Sequence, residues 1–375
     1  MFDSPQSTGV LCDGDASASC GAKRRIQWVD YGKGFAMLLV FWGHTICPDG
    51  ARDVLYAFHM PLFYFLSGYV FSIRKYADFK SFVWRRFRTL IVPGAFFGAV
   101  CLIGDALNSM LMGEHGAGTL VSRAIGLFVE LRGGDYYVVP WFFTSLFAIE
   151  IAAYVMLRHI TQRAGGILSL GILLSLVGYL YCVYIGHTVP WALETACSGF
   201  LFFVLGYLVH HYGQRLPRWV LAPGFGVLWL FVTLVFALLN VKVSGMRLDI
   251  DLNHYGWYPF YMVAALSGVM MGVCFMRGLE RLRCAPIHAM LLYVGRNSLI
   301  FYCFNQLALR IVLEIFQRFG VFVGTLDVMQ QCLGLVIVAL ACVLCVPLAE
   351  FANRMLPGVM GKRHAGARHG AHCRV

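Results

Sequence analysis

The sequence predicts an all-α fold: a polytopic transmembrane helix bundle of about ten spans, with both termini cytoplasmic. Three observations carry this expectation. Hydrophobic residues make up 59% of the 375 and charged residues 13%, against about 25% charged in soluble domains, and the mean hydropathy is +0.70. The apolar residues gather into continuous runs that suit helices crossing roughly 30 Å of hydrocarbon. The basic residues also alternate between the two sides of these runs. Arg52, Arg123, Arg132, Lys242, Arg247 and Arg318 fall on one side, Lys33, Arg296 and Arg310 lie within or at the edges of spans, and the other Lys and Arg residues fall on the opposite side. That richer side is cytoplasmic by the positive-inside bias.

The predicted spans are 32–47, 54–73, 89–109, 138–157, 166–186, 190–209, 219–240, 257–276, 288–312 and 329–350. They divide the chain into a cytoplasmic N-terminal tail (1–25), expected to be disordered, a membrane domain (26–353), and a basic, His-containing cytoplasmic tail (354–375). No internal repeat is visible, and no soluble domain fits between spans. The first 22 residues carry acids and no Lys or Arg before Lys23, so they do not read as a cleavable signal peptide. The net charge of +11 is topology signal, with a secondary attraction to anionic lipid, and calls for no nucleic-acid partner. Thirteen cysteines show no CxxC pair or zinc-like spacing and read as small buried side chains. No metal site is expected, the tail histidines belonging to a disordered basic segment.

In the first span Asp30, Lys33, Met37 and His44 share one helical face. Its uncharged stretch, Gly34 to Cys47, is shorter than a comfortable span of about 20 residues. A polar stripe facing other helices or a wet cavity would make it tolerable. The bland alternative puts Asp30 and Lys33 at the cytoplasmic interface and His44 among outer headgroups. The second span opens with Phe58-His59-Met-Pro61, where the proline suits a first helical turn. His59 is either chemical or a packing imidazole donating to a carbonyl of a neighbouring helix. Intramembrane ionisable groups are costly and mark functional candidates.

Before the third span, Arg85-Arg86-Phe-Arg88 enforces topology, and its guanidinium groups also suit bidentate phosphate contacts. No Walker A loop or GxGxxG unit accompanies it. Asp105 falls in span three, Glu150 in span four and Glu194 in span six. Any of these carboxylates can orient an imidazole, and the sequence does not choose among them. Span nine carries Arg296, Asn297, Ser298, Asn305 and Gln306.

Asp30-Tyr-Gly-Lys33-Gly34 followed by an apolar run to Gly43-His44 resembles the first helix of acyltransferase family 3, membrane O-acyltransferases that acetylate sugars of surface polysaccharides and glycolipids. Phe58-His59-Met-Pro-Leu-Phe-Tyr-Phe-Leu-Ser-Gly68 resembles the second helix, and Arg86-Phe-Arg88 with Pro93 the Arg-x-Arg element. Trp141-Phe-Phe-Thr-Ser-Leu-Phe147 and Tyr293-Val-Gly-Arg-Asn-Ser298-Leu resemble later landmarks. The likeness covers about residues 26 to 350. It implies a ten-helix bundle in the bacterial cytoplasmic (inner) membrane. It also implies acetyl-CoA or another acyl-CoA as co-substrate, with no tightly bound cofactor, and a polysaccharide or glycolipid hydroxyl as acceptor.

Residue by residue, the resemblance implies His44 as the catalytic histidine and Arg86 and Arg88 as handlers of the acyl donor. His59 positions the acyl carbonyl, relays a proton or packs. Asp30, Lys33, Glu150, Asn297, Ser298 and Asn305 are candidate supporting groups. Relatives often carry a ninth-helix histidine where this chain reads Phe301-Tyr-Cys-Phe-Asn305-Gln306. An amide there can hydrogen-bond a substrate but cannot act as a base near neutral pH. A neutral imidazole, with its ordinary pKa of about 6.5, suits proton abstraction from an acceptor hydroxyl. His44 is expected near the outer face and the arginines at the inner one, so either the coenzyme arm reaches deep into the bundle or a carrier passes the acyl group on. The alternative function is a proton-coupled transporter or flippase of a solute or lipid-linked sugar.

Overall fold

A computed structural model describes residues 26–112, 125–126, 141–217, 219–282, 284–320 and 328–361. The two predicted tails, apart from residues 354–361, lie outside the described residues, as does the side chain of Asp105. The chain folds as α1 (Gln27–Gly43) and α2 (Asp49–Tyr69), then α3 (Phe79–Arg86) and α4 (Val92–Met112). Next come α5 (Trp141–Val155), α6 (Ala164–Tyr184), α7 (Leu193–Tyr212) and α8 (Gly226–Ser244). It ends with α9 (Tyr258–Leu279), α10 (Ala285–Arg296), α11 (Ser298–Arg318) and α12 (Val328–Met355). No strand occurs among the described residues, only an isolated bridge between Asp249 and His254.

Each predicted span overlaps a helix, and eight helices among the described residues are long and apolar enough to cross a membrane. The two helices that carry the candidate histidines, α1 and α2, are not among those eight, α1 having 17 residues. Three expectations need correction. Helix α1 begins at Gln27 and ends at Gly43, so His44 is its C-cap residue and not an interior one. Asp30 can lie inside the helix because Arg296 Nε stands 3.7 Å from its carboxylate. Helix α2 begins at Asp49, which leaves Pro61 well inside the helix and not in its first turn.

The ninth span is two helices, broken at Asn297. There the side-chain Nδ2 donates to Tyr293 O (2.9 Å), while Oδ1 accepts from Asn353 Nδ2 (2.8 Å). A side-chain amide that competes for a helical carbonyl offers the backbone an alternative to the helical ladder.

Helices α3 and α4 are joined through a π-turn, Phe87–Ile91. A capping box starts α3: Ser81 N–H donates to Asp78 Oδ1 (2.6 Å), and Asp78 N–H donates to Ser81 Oγ (3.3 Å). The histidine-bearing helices are set by backbone-to-backbone contacts. A side chain at Gly295 would collide with the carbonyl of Asp30, and one at Gly34 with that of Leu291, so α1 lies directly on α10. Gly68 and Gly206 do the same for α2 and α7, against the carbonyls of Phe203 and Phe65. Small residues at such crossings let membrane helices approach closely.

Candidate functional site

His44 and His59 line one cavity of about 90 Å³. His44 is solvent-exposed, whereas His59 is buried at 4% exposure. Both rings are fixed in the same way. His44 Nδ1 lies 2.8 Å from Val40 O, and His59 Nδ1 lies 2.7 Å from Leu55 O, each the carbonyl four residues back on its own helix. A carbonyl can only accept, so each Nδ1 must carry the proton. In the neutral ring this leaves Nε2 with the lone pair. His59 thus bonds its own helix and not a neighbour, as its packing alternative had it. Between the rings stands Tyr56, 5.9 Å centroid to centroid from His44 and 5.0 Å from His59.

From α11 the cavity receives Tyr302, Asn305 and Gln306, and from α5 Trp141. Asn305 is 5% exposed, and its Nδ2 donates to Tyr302 O at 2.5 Å. Its Oδ1 is buried with no hydrogen-bond partner among the described residues. An unsatisfied buried acceptor costs about 1–3 kcal/mol, so a donor brought into the cavity would relieve it.

The α8–α9 connection contributes Asp249 and Asp251 to the lining. Asn240 holds that connection in place. Its Nδ2 donates to Tyr255 O (3.0 Å) and Trp257 O (3.1 Å), and its Oδ1 accepts from Trp257 N–H (2.8 Å). Glu194 accepts from Asn253 Nδ2 (3.2 Å) and Val189 N–H (3.2 Å), which tethers that connection to the start of α7. Arg247 stands 3.5 Å from both Asp49 and Asp53, while Arg52 Nη2 donates to Thr45 O (2.8 Å). These contacts fasten the His44 turn and the start of α2 to the segment that brings Asp249.

A second cavity, of about 220 Å³, is lined by Lys33, Ser67, Arg86, Glu150, Ser298 and Tyr302 among apolar groups such as Phe63, Leu90 and Phe143. Lys33 and His44 are 11 residues apart on α1, so this cavity is offset by about 16 Å along the helix axis at 1.5 Å per residue. It lies toward the end predicted to be cytoplasmic. Tyr302 lines both cavities.

Arg86 donates through Nε and Nη2 to the two carboxylate oxygens of Glu150, which is 1% exposed. Arg88 is exposed and outside this lining, because two helical steps turn it away from Arg86. The two arginines expected to handle the donor therefore do not line this cavity together. Asp30 and Asn297 also stay out of both cavities, since one pairs with Arg296 and the other makes the α10–α11 break.

Residues 26–349 match the family model described as an acyltransferase domain, that of acyltransferase family 3. The chain belongs to acyltransferase family 3. No curated protein and no solved structure matches it. It is a multi-pass membrane acyltransferase, and its two predicted histidines share a cavity. Tyr56, Asp249 and Asp251 join the site without having stood out in the sequence, and Tyr302 had no role assigned there. The two aspartates sit in a short connection, where no periodicity assigns a facing. Their only signal was the pair of acids in Leu248-Asp-Ile-Asp251.

Proposed function

We propose that this acyltransferase moves an acetyl group from acetyl-CoA to a hydroxyl of a surface polysaccharide or glycolipid sugar, with His44 as general base. The observation that carries the reading is the Nδ1–H bond of His44 to Val40 O. It commits the neutral ring to an Nε2 lone pair at an accessible cavity, which is the form a base needs. Nε2 takes the acceptor's hydroxyl proton while the oxygen attacks the thioester carbonyl. The C–O bond forms, the C–S bond breaks, and the imidazolium returns its proton to the departing sulfur. The products are the ester and free coenzyme A.

His59 has the same lock, so in its neutral form it can accept a hydrogen bond but not donate one to the acyl carbonyl. It therefore orients the acceptor instead of polarising the donor. The second cavity suits the amide-bearing arm of the coenzyme: its charged lining is Lys33, Arg86 and Glu150, and Arg86 is already engaged. The arm then brings the acyl group past Tyr302, which spares the chemistry a separate carrier. The first cavity, about 90 Å³, has room for about six to nine water molecules at about 10–15 Å³ each. That favours a two-carbon acyl group over a long chain.

The test is incubation of the purified protein in liposomes with labelled acetyl-CoA and a membrane glycolipid. Label recovered as a base-labile ester in the glycolipid supports the reading. Solute counterflow with no label transfer would point to the transporter instead.

A further inference from the structure

The largest cavity described lies outside both of these. It measures about 610 Å³, within the range of about 300–1,000 Å³ typical of small-molecule sites. It opens between the Ser72–Ala77 segment, the Met156–Ile160 π-turn and the end of α7, at the end predicted to be cytoplasmic. Its cationic lining is Arg74, Lys75 and Arg158, with His211 beside them, and among the described residues no carboxylate lines it. Glu150, in the adjoining cavity, lies within electrostatic reach of Lys75; topology requires basic residues in these connections but does not require three of them to line one cavity. Four tyrosines, Tyr76, Tyr154, Tyr207 and Tyr212, complete the walls. Tyr207 stacks on His211 with 4.1 Å between centroids, and His211 Nδ1 bonds Tyr207 O (2.9 Å), which presents a flat aromatic pair.

We propose that this cavity binds a phosphate-bearing nucleotide, with Arg74, Lys75 and Arg158 on the phosphates and the tyrosine faces on the base. Guanidinium groups match phosphate oxygens bidentately, and aromatic rings stack on any base. The proposal rests on the reading of acyl-CoA as donor and gives the nucleotide end of that donor a place. It also accounts for a mismatch in the second cavity, whose single net positive charge suits polyphosphate poorly. The two cavities adjoin: Tyr154 is one helical turn from Glu150, Ser72 follows Val70 by two residues, and Tyr76 interacts with Arg86. A donor seated by its nucleotide here would lead its arm past the Arg86–Glu150 pair.

An anionic phospholipid headgroup offers the same phosphate chemistry, so the test separates the two sources. Purified protein in nanodiscs of neutral phosphatidylcholine is titrated with free coenzyme A, with adenosine 3′,5′-bisphosphate, and with pantetheine, which has no phosphate. The expected result is that Arg158→Ala and Arg74→Ala each weaken coenzyme A and the bisphosphate at least about tenfold and leave pantetheine unchanged. Arg158→Lys recovers part of the loss with an unaltered melting temperature, and the donor KM rises in the Ala variants while kcat holds.

Unchanged coenzyme A affinity in both Ala variants overturns the proposal. So does an effect confined to the binding of phosphatidylglycerol vesicles, which would assign the cavity to lipid. Failure of the donor reading looks different, because the wild-type protein would then neither bind coenzyme A nor transfer acetyl.

Discussion

Arg86 and Glu150, 64 residues apart in sequence, form a forked pair between α3 and α5, the guanidinium Nε and Nη2 each meeting one carboxylate oxygen. The carboxylate is 1% exposed. Removing one partner of a buried pair strands the other charge, at a cost of about 3–5 kcal/mol, whereas removing both costs much less. Glu150→Ala is therefore expected to lower the melting temperature in detergent sharply, and Arg86→Met/Glu150→Leu to restore most of it. If the double variant falls as far as the sum of the singles, the pair is not coupled as described.

Nitrogen-15 NMR of histidine-labelled protein checks the ring assignment. Neutral His44 and His59 are both expected as the Nδ1–H tautomer, held by Val40 O and Leu55 O. His59→Ala should reduce transfer less than His44→Ala, since the buried ring orients while the accessible one takes the proton. Resonances of an Nε2–H tautomer at His44 would remove its base role.

Asn305 Oδ1 is buried without a partner among the described residues, so replacing the side chain removes an unsatisfied acceptor from the free protein. Asn305→Leu is expected to leave the melting temperature unchanged or slightly higher. It should raise the acceptor KM and leave the donor KM alone. An effect on the donor KM of equal size would contradict an acceptor-side role.

Gly206 lies so close to the carbonyl of Phe65 that a methyl group has no room, while nothing stands within 4 Å of a methyl at Gly165. Gly206→Ala should destabilise by about 1–3 kcal/mol as overpacking does and disturb the helix that carries His59. Gly165→Ala, in α6, should be neutral or mildly stabilising. Thermal unfolding of both variants in detergent decides it, and equal losses would count against the close contact.

The spans were legible in the sequence because hydropathy is a one-dimensional signal, and His44, His59, Arg86 and Glu150 each stood out as polar groups against it. Their relationships were not legible. Nothing local tells Glu150 that it will meet Arg86, because helix rotation is set by contacts such as Gly34 on Leu291. The break at Asn297 arises from an amide competing for a carbonyl and leaves no mark on hydropathy. Extension of α1 back to Gln27 depends on Arg296 reaching Asp30, a partner 266 residues away. Asp249 and Asp251 reach the site through a connection held by Asn240, and its hydrogen bonds are tertiary.

In the proposed reaction His44 takes the acceptor's proton. Transfer of labelled acetyl from acetyl-CoA to glycolipid by liposome-reconstituted protein, wild type against His44→Ala, tests it most directly. The expected result is a loss of about 10²–10⁴-fold in rate, with coenzyme A affinity retained. Unchanged transfer by His44→Ala would contradict it.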